Sequence, residues 1–162
     1  MNPRRRFVSC VLAAALAACG WRLRAPPALP PGLSPLAVEA DPSAADLARA
    51  VRRQLRGAGV ALAPPGAAAA TLALALQRGQ RVAALGPDGR AREYEVYYRA
   101  RFALRRGAET VVPEQSLEVR RELVYDPLAV SAVDEERVAL ERAMAEDLAR
   151  LVVERLAAAF AP

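Results

Sequence analysis

The chain has 162 residues, with 23 arginines, no lysine and no histidine against 18 acidic residues, and a formal net charge of +5. That length suits one domain, and the missing histidine excludes Ser–His and Cys–His nucleophilic catalysis as well as His-ligated zinc and haem sites. Arginine as the sole strong cation, beside abundant alanine, reads as a base-composition bias of the genome and not as a phosphate-binding signature.

Residues 1–18 read as an export signal. Arg4, Arg5 and Arg6 form a positive start, and Phe7 to Ala17 is an apolar run ending in small residues. The run is about eleven residues, short of the roughly 20 that a helix needs to span a bilayer. Arg4-Arg5-Arg6-Phe7-Val8 fits either a Sec or a twin-arginine signal. Leu16-Ala17-Ala18-Cys19 has the form of a lipobox, which marks a cut before Cys19 and acylation of that residue. Cleavage leaves 20 arginines against 18 acids, so most of the excess charge leaves with the signal and the expectation of nucleic-acid binding goes with it. Cys10 also leaves. With Cys19 acylated, no thiol remains for a disulfide, and a domain of about 130 residues must hold together through its core. Gly20 after the acylated position favours the outer membrane, periplasmic side, where more than one acyl chain makes anchoring stable.

Residues 19–35 follow as the lipidated cysteine and a tether. Pro26, Pro27, Pro30, Pro31 and Pro35 each fix φ and remove a donor, which predicts an extended leash. The folded domain is expected over 36–162. Leu36 to Ala40 reads as a first strand. Asp41-Pro42-Ser43 opens a helix over about 44–57, with Ser43 and Asp46 resembling a capping box. Leu47, Val51 and Leu55 make its apolar stripe, supported by Ala44 and Ala48. Arg49, Arg52, Arg53 and Arg56 occupy the other surface, where the like-charge pairs 49/53 and 52/56 cost a few tenths of a kcal/mol each. This surface is either a solvated face or a surface for an acidic partner.

Pro64-Pro65-Gly66 breaks the chain. A second strand has Leu72, Leu74 and Leu76 in alternation and extends toward Leu85, where Gly86-Pro87-Asp88-Gly89 signals a turn. The clearest amphipathic strand comes next: Tyr94, Val96, Tyr98, Ala100, Phe102 and Leu104 alternate with charged residues. After a turn at Arg106-Gly107-Ala108-Glu109, a last strand is predicted from about Gln115 to Tyr125. Arg121 there falls on the apolar parity, which calls for a bulge, an edge position or a partner. A final helix is predicted over about Asp134 to Ala159, its stripe formed by Leu140, Met144, Leu148, Leu151, Val152, Leu156 and Phe160. Acids at its start suit the helix dipole. Short connections then predict a parallel strand–helix–strand unit followed by two hairpins. The expected fold is α+β, a β-α-β-β-β-α sandwich with two helices on one face of a four-stranded mixed sheet.

No catalytic constellation emerges. Glu93/Glu95 and Glu118/Glu122 lie near arginines, as cross-strand ion pairs do, there is no oxygen-ligand cluster for calcium, and no cofactor or metal is expected. Charge is unevenly placed: residues 78–106 carry eight arginines against three acids, and 107–162 carry six against twelve. An arginine-bearing sheet face either pairs internally with glutamates or binds phosphate and carboxylate groups of an anionic amphiphile or an acidic wall.

Several short segments together resemble the LptE family of lipopolysaccharide-assembly lipoproteins. They are Cys19-Gly20-Trp21-Arg22-Leu23-Arg24, Leu47 to Arg56 with Gly59-Val60, Arg92-Glu93-Tyr94-Glu95, Tyr125-Asp126, and Glu135-Glu136 with Met144. The resemblance implies a non-enzymatic outer-membrane lipoprotein that plugs and helps assemble an LptD-like β-barrel and assists insertion of lipopolysaccharide into the outer leaflet. It also implies direct lipopolysaccharide contact through basic residues near one end of the sheet, for which Arg90, Arg99 and Arg101 are the candidates here. Arg49, Arg53 and Arg105 are candidates for contact with the barrel. Leu128 to Val133, the expected loop before the last helix, has no basic residue, which departs from the family's pattern. The alternative is a periplasm-facing lipoprotein adaptor or binding module of another envelope complex.

Overall fold

A computed structural model describes residues 29–124 and 130–160. The expected signal, Cys19, the segment Gly20 to Arg24, the first part of the tether, Tyr125-Asp126 and the start of the expected loop at Leu128 lie outside the described residues. The elements are β1 (Leu36–Ala40), α1 (Ala45–Gly57), β2 (Ala70–Leu85), β3 (Ala91–Arg106), β4 (Glu109–Val124) and α2 (Val130–Ala158). The sheet order is β1-β2-β3-β4. β1 runs parallel to β2, and the two hairpins are antiparallel. The expected mixed four-stranded sheet with both helices on one face is what the chain forms.

Period-two alternation decides which face the helices cover. Val96, Tyr98, Ala100, Phe102 and Leu104 of β3 point inward and are buried, as are Leu72, Leu74 and Leu76 of β2 and Leu36 and Val38 of β1. From α1, Leu47, Ala48, Val51 and Leu55 meet them, and from α2 Met144, Leu148, Val152, Val153 and Leu156. Val153 joins the predicted stripe, while Leu151 is only half-buried. The helices run side by side in the same direction, since β1, which precedes α1, and β4, which precedes α2, run the same way in the sheet, and Arg53 of α1 pairs with Glu146 of α2 across the cleft.

The 16-residue strands are each about 50 Å long, so the molecule has two distinct ends. At the proximal end the C-termini of both helices meet the β3–β4 turn and the start of β1. At the distal end the β2–β3 turn projects beyond the helices. Burial on β2 stops after Leu76, and Val82 and Leu85 are 51% and 64% exposed. Both hairpin turns need a positive φ, supplied by Gly89 (72°) and Gly107 (58°).

Four local expectations change. α2 begins at Val130, four residues before the predicted start at Asp134, so residues 130–133 of the expected loop belong to the helix. The proline-rich segment does not stay a leash as far as Pro35. From Leu29 it packs on the domain, Pro31–Leu33 form a 3-10 turn and Leu33 is buried in the core. Ser43 does not cap α1. It lies within a second 3-10 turn, Pro42–Ala44, and its hydroxyl donates to the Leu76 carbonyl at 3.3 Å; Pro42 tightens the chain there and moves the helix start to Ala45. The last strand begins at Glu109, six residues before the predicted start. A bulge near Pro113–Glu114 accounts for that error, since Leu104 faces Val112 while Phe102 faces Gln115. The extra residue reverses the parity of the apolar positions, so the alternation read from Leu117 onward fails upstream of Pro113. Arg121 stays in phase. It sits on edge strand β4 and reaches Asp147 of α2 at 2.6 Å, which satisfies the edge reading.

Two stability predictions follow from this packing. Phe102→Ala should cost about 3–5 kcal/mol, measured by urea unfolding. Gly79 faces Tyr97 across β2–β3, and a Cβ there would meet the outer atoms of the Tyr97 ring at 2.3 Å. Gly79→Ala should therefore destabilise by about 1 kcal/mol, and most of that loss should vanish in a Tyr97→Ala background. Equal costs in both backgrounds would mean the ring is not the obstacle.

Candidate functional site

The helix-free face of the sheet carries an ion ladder. Arg99 of β3 lies opposite Glu118 of β4 and pairs with it at 2.6 Å; Glu118 also accepts from Arg120 at 2.5 Å. Arg120 approaches Glu95 at 3.9 Å, and Glu95 pairs with Arg81 of β2 at 2.9 Å. Arg101 reaches Glu114 at 3.6 Å. The Arg120 hydrogen bond, followed by that of Arg99, holds Glu118 below the usual carboxylate range, and Glu118 in turn raises Arg120. All these groups are solvated, so the ladder neutralises the face more than it stabilises the fold. The internal-pairing reading of the arginine face is the one the geometry adopts.

A second polar assembly fills the cleft between the helices, a space of about 430 Å³ lined by Asp46, Arg49, Arg53, Glu141, Arg142 and Glu146, with Tyr98 at its base. Arg49 pairs with Asp46 and Arg53 with Glu146. Arg52 donates to the Val38 carbonyl at 2.6 Å. The like-charge pairs of α1 are thus relieved by separate partners, three of its four arginines being occupied. Beneath them Arg78 stacks 5.1 Å from the Tyr98 ring and donates to the Ser43 carbonyl at 3.0 Å.

The third place is the distal tip. The Gly86 N–H donates to the Arg90 carbonyl at 2.8 Å, and the Arg90 N–H donates to Asp88 Oδ1 at 3.2 Å. Arg92 pairs with Asp88 at 3.3 Å. That leaves the exposed Arg90 side chain without an ion pair among the described residues.

The six candidate arginines therefore do not form one site. Arg99 and Arg101 belong to the ladder, and Arg90 lies nine residues from Arg99 along the hairpin, about 30 Å away. Arg49 and Arg53 face the inter-helix cleft, and Arg105 stands at the proximal end opposite Thr110. The Arg78–Tyr98 stack was not readable from the sequence, because it depends on the β2–β3 register that places those two residues opposite each other.

Burial pushes the Tyr98 phenol up to about 12, Arg78 opposing and Glu141 adding to the rise. A phenol raised in the folded state contributes stability that is complete below its unfolded value near 10 and is lost as pH rises toward 12. Tyrosinate absorbance should show one tyrosine ionising only near the alkaline unfolding transition. In Tyr98→Phe that late component should be missing. For Glu118 the sign is opposite: its contribution is present above the unfolded carboxylate range and disappears as acid protonates it.

Comparison with known proteins places this geometry. The family model described as "LptE: Lipopolysaccharide-assembly" matches residues 33–156. Among solved structures, the chain is similar to rare lipoprotein B from Shewanella oneidensis (24% identity, TM-score 0.65, 76% of this chain and 93% of that one). It is also similar to lipoprotein B from Nitrosomonas europaea (20%, TM-score 0.70, 86% and 91%) and to a minor lipoprotein from Acinetobacter baumannii (20%, TM-score 0.64, 76% and 90%). At these identities the structures establish the fold. No curated protein matches the chain in sequence. The family match runs from the docked Leu33 to the last buried turn of α2, nearly the whole described domain, and the chain belongs to the LptE family of lipopolysaccharide-assembly proteins.

Proposed function

We propose that this chain is an outer-membrane lipoprotein, anchored through an acylated Cys19 after removal of residues 1–18, which plugs an LptD-like β-barrel and assists insertion of lipopolysaccharide into the outer leaflet. The observation that carries the reading is the family match over residues 33–156. An elongated domain with a neutralised outer face supports a plug: paired charges leave few uncompensated groups to desolvate inside a lumen. Arg90 is the best-placed candidate for lipopolysaccharide phosphates, being exposed at the tip and free of ion pairing among the described residues. Arg99 and Arg101 would have to leave Glu118 and Glu114 to bind a ligand. Arg49, Arg53 and Arg105 remain candidates for barrel contact, of which only Arg105 has no ion pair to give up among the described residues.

Gentle solubilisation of outer membranes should recover the protein with a large β-barrel; recovery as a free monomer would sink the plug reading. Arg90→Ala should weaken binding of lipid A-containing material about fivefold, or about 1 kcal/mol for one partly exposed charge-assisted contact. Arg99→Ala should have a smaller effect, and added salt should reduce binding in each case. If Arg90→Ala binds like the parent, the tip contact is wrong and the plug role stands without it.

A further inference from the structure

β1 has five residues and β2 sixteen, so β1 covers the outer edge of β2 only from Ala70 to Leu74. Past its end the Asp41 N–H donates to the Leu74 carbonyl at 3.2 Å and the Ser43 hydroxyl to that of Leu76. The chain then turns away into α1. Both carbonyls point to the β1 side, and backbone groups alternate along a strand, so Arg78, Gln80 and Val82 turn their N–H and C=O groups the same way. No hydrogen bond among the described residues reaches these groups. Residues 77–82 therefore form an open edge about 20 Å long, in unbroken register with β3 on their other side. Gln77, Arg78, Gln80, Arg81 and Val82 are all exposed.

The two edges of the sheet are unlike. β4 is defended against pairing: Pro113 and the bulge beside it interrupt the strand, and Glu114, Glu118, Arg120, Arg121 and Glu122 crowd it with charge. The open stretch of β2 has no proline and meets its first irregularity only after Val82. Water satisfies such an edge on a free domain. Where a barrel wall encloses the edge and displaces that water, each backbone group left unpaired is costly. The wall strands of a closed barrel already pair with one another, so the segment that can reach β2 is one that leaves the wall and enters the lumen.

We propose that residues 77–82 accept an added strand, an extended acidic segment of the enclosing barrel chain that enters its lumen. This deepens the plug reading above and rests on it. Main-chain bonds to Arg78, Gln80 and Val82 supply the grip, and side chains on the added strand supply the selection. The hairpin that carries the edge has eight arginines against three acids over 78–106. That balance favours acids in the added strand and disfavours a second copy of this chain, whose arginines would meet these.

Hydrogen exchange read residue by residue tests the pairing, with the full chain alone compared with the full chain recovered beside its β-barrel from gently solubilised outer membranes. Alone, the amides of Arg78, Gln80 and Val82 should exchange freely, while those of Gly79 and Arg81, which bond to β3, stay protected. In the complex the first three should slow by at least about tenfold. Gln80→Pro removes one outward N–H and spares the bonds to β3. It should lower recovery of the barrel about tenfold, whereas Gln80→Ala recovers it as the parent does. If the proline variant does not fold, the exchange comparison in the unaltered chain still decides. A complex whose three amides exchange as fast as in the free chain overturns the strand pairing and leaves the plug reading standing. Recovery without any barrel sinks the plug reading and the pairing with it. Protection in the free chain that grows with its concentration makes a second copy the occupant, and that too overturns the proposal.

Discussion

The burial of one sheet face beneath two parallel helices is the constraint on which the rest of this molecule depends. Strand side chains alternate, so every apolar residue that β3 sends inward commits its neighbour to the opposite face. Val96, Tyr98, Ala100, Phe102 and Leu104 thereby oblige Tyr97, Arg99, Arg101 and Arg105 to face solvent. Among the described residues no third layer covers that face. Its charges are compensated in place, by Glu118, Glu95 and Glu114 reaching across from neighbouring strands. The same rule makes Arg121 an exception that the edge can tolerate. It shares the inward parity but lies where β4 has no further strand beside it, and Asp147 of α2 meets it there.

Pairing on this scale changes what an arginine-rich composition means. A guanidinium held by a carboxylate must give up that partner before it can bind another anion, so the paired majority serve the fold's own neutrality. Among the described residues, the minority without such partners include Arg90 at the distal tip, Arg105 and Arg106 at the β3–β4 turn, and Arg137 and Arg142 along α2. Strands about 50 Å long hold the two turns far apart. The helix-free face of the sheet is therefore electrostatically compensated, while each hairpin turn keeps a cation with no carboxylate to give up.

The docked segment from Leu29 gives this arrangement a direction. Leu33 enters the core beside the end of α1, so the docked segment and the proximal turn share one end of the body. For a member of the LptE family, whose role belongs to lipopolysaccharide assembly, that polarity matters as much as any single side chain.

Much of the architecture was legible from local pattern. The alternation from Tyr94 to Leu104, the i+4 stripe Leu47–Val51–Leu55, the turn at Gly86-Pro87-Asp88-Gly89 and the short connections were enough to order the elements and to put both helices on one face. These signals are local because backbone geometry repeats every two or 3.6 residues. What escaped was whatever depended on non-local contacts. The bulge near Pro113 hid the start of β4, the packing of Leu33 turned part of a leash into core, and Ser43 found the Leu76 carbonyl in place of a helix amide. The site followed the same division. Composition and the order of motifs sufficed to exclude His-dependent chemistry and to suggest the family. Only the strand register could decide that Arg99 and Arg101 are already paired and that Arg78 lies over Tyr98. The register also places Arg90 and Arg105, which have no ion pair among the described residues, at opposite ends. A charge's partner is set by what the folded chain brings within about 4 Å of it, and sequence order alone does not contain that distance.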